Sequence, residues 1–197
     1  ATNALRQAKN ANVFISRANK ILPKPIEIIA GREEARLIYL GVSHTNESSD
    51  KRLVMDIGGG STEFIIGQNF DPLLTESLQM GCVSFTQKFF ADGLITKEAF
   101  NSAISGARKE VLAINGRYQK TGWSSVVGSS GTIKAVRNVL VSKGWADEQE
   151  RITYKGVKKL EKLLIKIGKI YDIELEGVKD HRKGVFPAGV GVLGAGM

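Results

Sequence analysis

The chain has 197 residues, enough for one domain with a proper core, and its 42% hydrophobic and 24% charged content is that of a folded globule. One cysteine excludes an internal disulfide, and two scattered histidines exclude the usual zinc clusters. The net charge of +8 is uneven: residues 151–197 carry ten Lys/Arg against five acids, a net +5, while residues 51–100 carry four against six, a net −2. A basic excess suits a polyanionic partner, but no RNA- or DNA-binding signature accompanies it.

No apolar run approaches the ~20 residues of a membrane span, and no signal-peptide pattern opens the chain. A reducing cytoplasm is the expected compartment.

In chain order, residues 3–20 space Leu5, Ala8, Ala11, Phe14 and Ile15 as one amphipathic helix ended by Pro23 and Pro25. Ile26-Glu27-Ile28-Ile29 reads as a short strand. Gly31 opens a helix with Glu33 and Glu34 in its first turn and Ala35, Leu37, Ile38 and Leu40 on its buried side. Residues 44–51 are a polar loop.

Three strands follow at 52–57, 62–67 and 73–80, as an antiparallel meander whose second turn is Gly67-Gln68-Asn69 and Asp71-Pro72. Ser84–Phe90 is helical. Thr96 is a fitting N-cap for a helix over 97–119, with Phe100, Ile104, Ala107, Val111, Ile114 and Tyr118 inward. Residues 124–127 form a buried strand ending at Gly128. Helices follow at 132–142 and 157–170, and a last one begins within 180–188.

The chemistry concentrates in Asp56-Ile57-Gly58-Gly59-Gly60-Ser61-Thr62-Glu63, between the apolar runs Leu53-Val54-Met55 and Phe64-Ile65-Ile66. Three glycines in a strand–turn–strand setting let backbone N–H groups approach an anion and take up positive φ. Ser61 and Thr62 add hydroxyls. Asp56 ends an apolar strand, where a bare charge is costly, and so is the better site for a hydrated Mg²⁺; Glu63 is a second. This is not a P-loop, which ends in Gly-Lys-Ser/Thr and opens a helix. A plain glycine hairpin is the competing explanation.

Gly128-Ser129-Ser130-Gly131-Thr132 joins strand to helix and reads as a second anion site at a helix N-terminus, or as a plain capped helix start. Lys155, Lys159, Lys162, Lys166 and Lys169 make a basic stripe, a solvated face or a track for a long polyanion. Glu33 and Glu34 also suit the positive end of a helix dipole.

The Asp56–Glu63 motif resembles the second phosphate loop of the actin/Hsp70/sugar-kinase superfold, and its wording resembles the exopolyphosphatase/guanosine pentaphosphate phosphohydrolase (Ppx/GppA) family. Thr2-Asn3-Ala4-Leu5-Arg6-Gln7-Ala8, Gly31-Arg32-Glu33-Glu34-Ala35-Arg36-Leu37, Met80-Gly81-Cys82-Val83-Ser84-Phe85, Gly128–Thr132 and Phe186-Pro187-Ala188-Gly189 agree in order and spacing.

The resemblance implies an α/β fold, an RNase H-like half of that superfold with a mixed sheet flanked by helices. It implies Glu34 as the general base, Arg6 as a phosphate clamp facing the cleft, Mg²⁺ as cofactor, and a homodimeric full-length parent. The expected reaction is release of the terminal phosphate of inorganic polyphosphate, to which Gly60 leans because pentaphosphate-hydrolysing members often carry Ala there. Guanosine pentaphosphate is the rival substrate. An actin-like ATPase or sugar-kinase half, and a non-catalytic phosphate-binding domain, are further alternatives.

The chain is expected to be a single domain, the second half of the catalytic module. The first phosphate loop and the C-terminal parts are expected to lie outside it, leaving these residues alone nearly inactive.

Overall fold

A computed structural model describes residues 1–45 and 49–197; the part of the expected 44–51 loop at 46–48 lies outside the described residues. The glycine motif is a true hairpin turn: strand β1 (Arg52–Ile57) pairs antiparallel with β2 (Thr62–Gln68), with Ile57 opposite Thr62. β2 pairs antiparallel with β3 (Asp71–Leu78), so Asp71 and Pro72, expected in the turn, already belong to the strand. β4 (Ser125–Ser129) runs parallel to β1, giving the order β3-β2-β1-β4. This mixed sheet flanked by helices is the expected α/β architecture.

Strand alternation divides the core. Leu53, Met55, Ile57, Phe64 and Ile66 point into the larger cluster. Val54 and Ile65 point the other way, onto Ala35, Tyr39 and Val42 of helix α3 (Gly31–Thr45). Parity puts Asp56 and Glu63 on this α3 side, directly opposite each other. The Tyr39 ring fills the space a Cβ on Gly67 would need, and its hydroxyl donates to the Asn69 carbonyl at 3.0 Å.

The larger face is covered by α4 (Cys82–Phe89), α5 (Lys97–Thr121), α6 (Gly131–Ser142), α7 (Tyr154–Ile167) and, past the short α8 (Asp180–Lys183), α9 (Phe186–Gly196). Thr96 caps α5 as expected, accepting from the Ala99 N–H at 3.0 Å. α9 is apolar all round and packs against α4, α5, α6 and α7, as a central helix must. Among the described residues no helix is long and apolar enough to cross a membrane.

Several expectations fail. The helix over 3–20 is two, α1 (Asn3–Gln7) and α2 (Ala11–Ala18), and neither buries a residue; Phe14 is 52% exposed. Residues 26–29 are not a strand, although the Ala1 ammonium donates to the Glu27 carbonyl and Ile29 N–H to the Ala1 carbonyl.

Leu37 is exposed, because Tyr39 and Val42 provide the inward face of α3. β4 is a sheet edge and not a buried strand, with Val126 62% exposed. The helix expected over 157–170 starts at Tyr154 and stops at Gly168, which adopts φ +79°. The last helix is split at Gly184-Val185.

Candidate active site

The first turn of α3 carries two carboxylates with different surroundings. Glu33 is bound by Arg36 at 2.7 and 2.8 Å on the outer side, and that bond holds its carboxyl below the usual range. Glu34 turns toward the sheet. Its Oε2 accepts from Arg6 Nη2 at 3.1 Å, both side chains being about four-fifths buried. Arg6 Nη1 donates to the Ile29 carbonyl at 2.6 Å, so the expected phosphate clamp is engaged in holding Glu34.

Asp56 and Glu63 complete a group of three acids. Glu63 is 1% exposed and accepts from the Ser77 hydroxyl at 2.8 Å and from Ser61. Asp56 accepts from the Ser129 hydroxyl. Burial pushes both carboxyls above their ordinary range, and the Glu34 charge pushes further the same way, against the downward pull of the serine bonds.

A raised carboxylate pKa means that the fold favours the protonated form. The resulting stability is present in acid and is lost as pH rises through the raised pKa. Asp56→Asn keeps the acceptor for Ser129 and removes the charge. Thermal melts from pH 4 to 8 should therefore show the variant gaining on the parent as pH rises, the two converging in acid. A variant less stable than the parent at neutral pH would mean that the charge is held by a partner stronger than its burial cost.

Close approach accounts for Gly60 and, less tightly, for Gly58 in the hairpin loop, while Gly59 has room for a Cβ. None of Gly58, Gly59 and Gly60 adopts positive φ, contrary to expectation. A Cβ on Gly60 would overlap the Asn3 side-chain amide, whose Nδ2 is buried without a hydrogen-bond partner among the described residues. Gly60 therefore matches Asn3 sterically. A Cβ on Gly81 would overlap the backbone of Gly59.

The start of α4 docks on the loop: Cys82 N–H donates to Gly58 O at 2.9 Å, and Val83 and Ser84 N–H to Gly59 O at 2.8 and 3.1 Å. The N–H groups of Gly59 and Gly60 donate to no backbone carbonyl among the described residues.

Not every expected phosphate ligand is available. The Thr62 hydroxyl is fully buried and donates to the Met80 carbonyl, and Ser61 is buried on Glu63. Ser129 serves Asp56. Ser130 adopts φ +98° and caps α6 by accepting from Ile133 N–H at 3.3 Å. Gly128 leaves room for the Ile133 side chain. The stripe of Lys155, Lys159, Lys162 and Lys166 lies on α7, away from this loop, with Lys159 over the Trp145 ring.

A cavity of about 420 Å³ opens at the C-terminal ends of β1 and β4, where α/β sheets place ligands. It is bounded by Asp56, Gly58 and Gly59 on one side and by Ser130 and Gly131 on the other. Its remaining wall includes His181 and Arg182, which the sequence reading missed. The Arg182 guanidinium lies against Gly131, at the positive end of α6, and makes no hydrogen bond or ion pair among the described residues. A basic run at 179–183 was its only sequence signal, some fifty residues from the nearest loop of the site.

The comparisons agree with this geometry. The model of the Ppx/GppA phosphatase family matches residues 1–197. The chain is 41% identical over 192 residues to the guanosine-5'-triphosphate,3'-diphosphate pyrophosphatase of Photobacterium profundum, and 42% identical to that of Vibrio campbellii. Each alignment covers 98% of this chain and 38% of the relative, so the chain spans under two fifths of their length.

Among solved structures it is similar to the Aquifex aeolicus family member, with a TM-score of 0.78 and 28% identity over 99% of this chain and 64% of that one. An exopolyphosphatase from Cytophaga hutchinsonii shares the fold, with a TM-score of 0.82 and 22% identity over 100% of this chain and 65% of that one. With the family model matching from first residue to last, the chain belongs to the Ppx/GppA phosphatase family.

Proposed function

We propose that these residues form the second half of a phosphohydrolase site acting on guanosine pentaphosphate, a change from the polyphosphate expected first. The observation that carries the reading is Glu34 turned toward Asp56 and Glu63 beside a cavity walled by a glycine loop and a free arginine. The names of the pyrophosphatase relatives favour the nucleotide substrate.

In the proposed reaction the water held by Glu34 attacks the terminal phosphorus in line. The bond from that phosphorus to its bridging oxygen breaks, and Glu34 takes the water's proton. Arg6 holds the carboxylate in place. The free N–H groups of Gly59 and Gly60, with Arg182, receive the phosphate oxygens.

No group of three or more His, Cys, Asp or Glu side chains among the described residues is placed to hold a metal ion. Asp56 and Glu63 are nevertheless hard oxygen donors, and two carboxylates suit Mg²⁺, which takes its remaining ligands from water and phosphate. Once bound there it would supply neutralisation of phosphate charge.

Long polyphosphate is the second reading, favoured by the lysine stripe of α7. The test is orthophosphate release by an active protein carrying these residues, with guanosine pentaphosphate, long polyphosphate and ATP as substrates. Guanosine pentaphosphate is expected to lead. Changing Lys159, Lys162 and Lys166 to Gln should lower only the long-chain rate and flatten its salt dependence. A clear lead for polyphosphate that the triple variant abolishes would reverse the assignment. Preference for ATP would point to the kinase or ATPase class, and binding without turnover to a non-catalytic domain.

A further inference from the structure

A second cavity, of about 350 Å³, lies one helical turn farther along α4. The phosphate cavity ends on Cys82, Val83 and Val185; the second begins on Thr86, Gln87 and Gly184. Four residues of helix advance about 6 Å, a gap that a ribose bridges. The two cavities thus share the groove between α4 and the α8–α9 joint. Long inorganic phosphate has no need of the second one, whose walls include Phe90, Ile170 and Tyr171.

Three features of that cavity suit a purine base. Tyr171 is 87% exposed, an unusual position for an aromatic side chain, and its ring lies beside Gly93. Its backbone is fixed: Ile170 N–H donates to Gly93 O at 2.9 Å and Ile95 N–H to Gly168 O at 2.7 Å. Asp92 lines the same cavity, next to Gly93. Its Oδ1 accepts from Leu94 N–H at 3.0 Å, which orients the carboxylate and leaves Oδ2 without a hydrogen bond among the described residues.

A carboxylate only accepts hydrogen bonds. It therefore matches an edge with adjacent N–H donors, as guanine offers at N1 and N2, and opposes adenine, which offers an acceptor at N1.

We propose that this cavity is the base subsite of the phosphate site, with Tyr171 stacking on the ring and Asp92 selecting guanine. The inference rests on the nucleotide reading above and extends it to the residues that would tell a guanosine phosphate from other polyphosphates.

The test is calorimetric titration of the chain with GTP, ATP and tripolyphosphate. GTP should bind at least about tenfold tighter than ATP. Tyr171→Ala should weaken GTP roughly tenfold, the order of one lost base–aromatic stack, and leave tripolyphosphate unchanged. Asp92→Asn keeps the acceptor for Leu94 and should erase the preference for GTP over ATP. Both side chains are exposed, so both variants should fold. Equal binding of GTP and ATP by the parent, unchanged GTP binding in Tyr171→Ala, or a GTP preference retained in Asp92→Asn, while tripolyphosphate still binds, overturns the base subsite and leaves the phosphate site standing. Failure of tripolyphosphate to bind overturns the phosphate reading, and the subsite with it.

Discussion

Glu34→Gln is expected to lower hydrolysis by about 10²–10⁴-fold, the usual cost of losing a general base, with little change in substrate affinity. The substitution is close to isosteric. The glutamine oxygen still accepts from Arg6 Nη2, so the largely buried pair at 3.1 Å is weakened and not dismantled. What disappears is the proton acceptor.

Glu33→Gln is the matched control. Its carboxylate faces Arg36 on the outside of α3, and an exposed pair of this kind contributes little, so turnover should stay near that of the parent. The measurement is kcat and KM for both variants in an active protein carrying these residues. Near-normal kcat in Glu34→Gln, with a large loss in Glu33→Gln, would move the base to the other carboxylate and contradict the placement of both side chains.

Gly81→Ala should be strongly destabilising. Its Cβ would overlap the backbone of Gly59, which no rotamer change relieves. Relief requires α4 to move away from the loop, and three hydrogen bonds at 2.8–3.1 Å hold it there. Overpacking of this kind costs about 1–3 kcal/mol and more when backbone must shift. The loop that presents the Gly59 and Gly60 N–H groups moves with it.

Melting temperature and tripolyphosphate binding should therefore fall together. Gly59→Ala meets only Val83, with Cγ2 nearest at 3.4 Å, and should leave the melting temperature nearly unchanged. Toward the end of α5, Gly116→Ala meets nothing within 4 Å and should stabilise by about 0.5–1 kcal/mol. A Gly81→Ala protein with parental melting and phosphate binding would show that the α4–loop contact can relax freely.

Local sequence carried much of this protein. The apolar runs Leu53-Val54-Met55 and Phe64-Ile65-Ile66 on either side of three glycines marked the hairpin, and Thr96 marked the start of α5 to the residue. Asp56–Glu63 marked the place of the chemistry. A side chain's parity, a cap and a run of missing Cβ atoms depend on neighbours within a few residues.

Other features are tertiary. The apolar residues of 3–20 read as a buried helix face, yet that face is exposed because no described element of this chain covers it. Val126 and Val127 are apolar enough for a central strand, but burial is decided by whether another strand lies beyond β4, and here none does among the described residues.

The resemblance pointed to Glu34, but the physical difference between Glu34 and Glu33 lies in which side of α3 meets the sheet. The reason for Gly60 lay with Asn3, far back in the chain. Arg182 reaches the site only because α8 packs beside the turn after β1 and the start of α6. Sequence carries the identity of such partners but not their distance, and packing between remote segments is what brings the Arg182 guanidinium to the cavity that Asp56 and Gly59 line, and Glu34 to the side of Asp56 and Glu63.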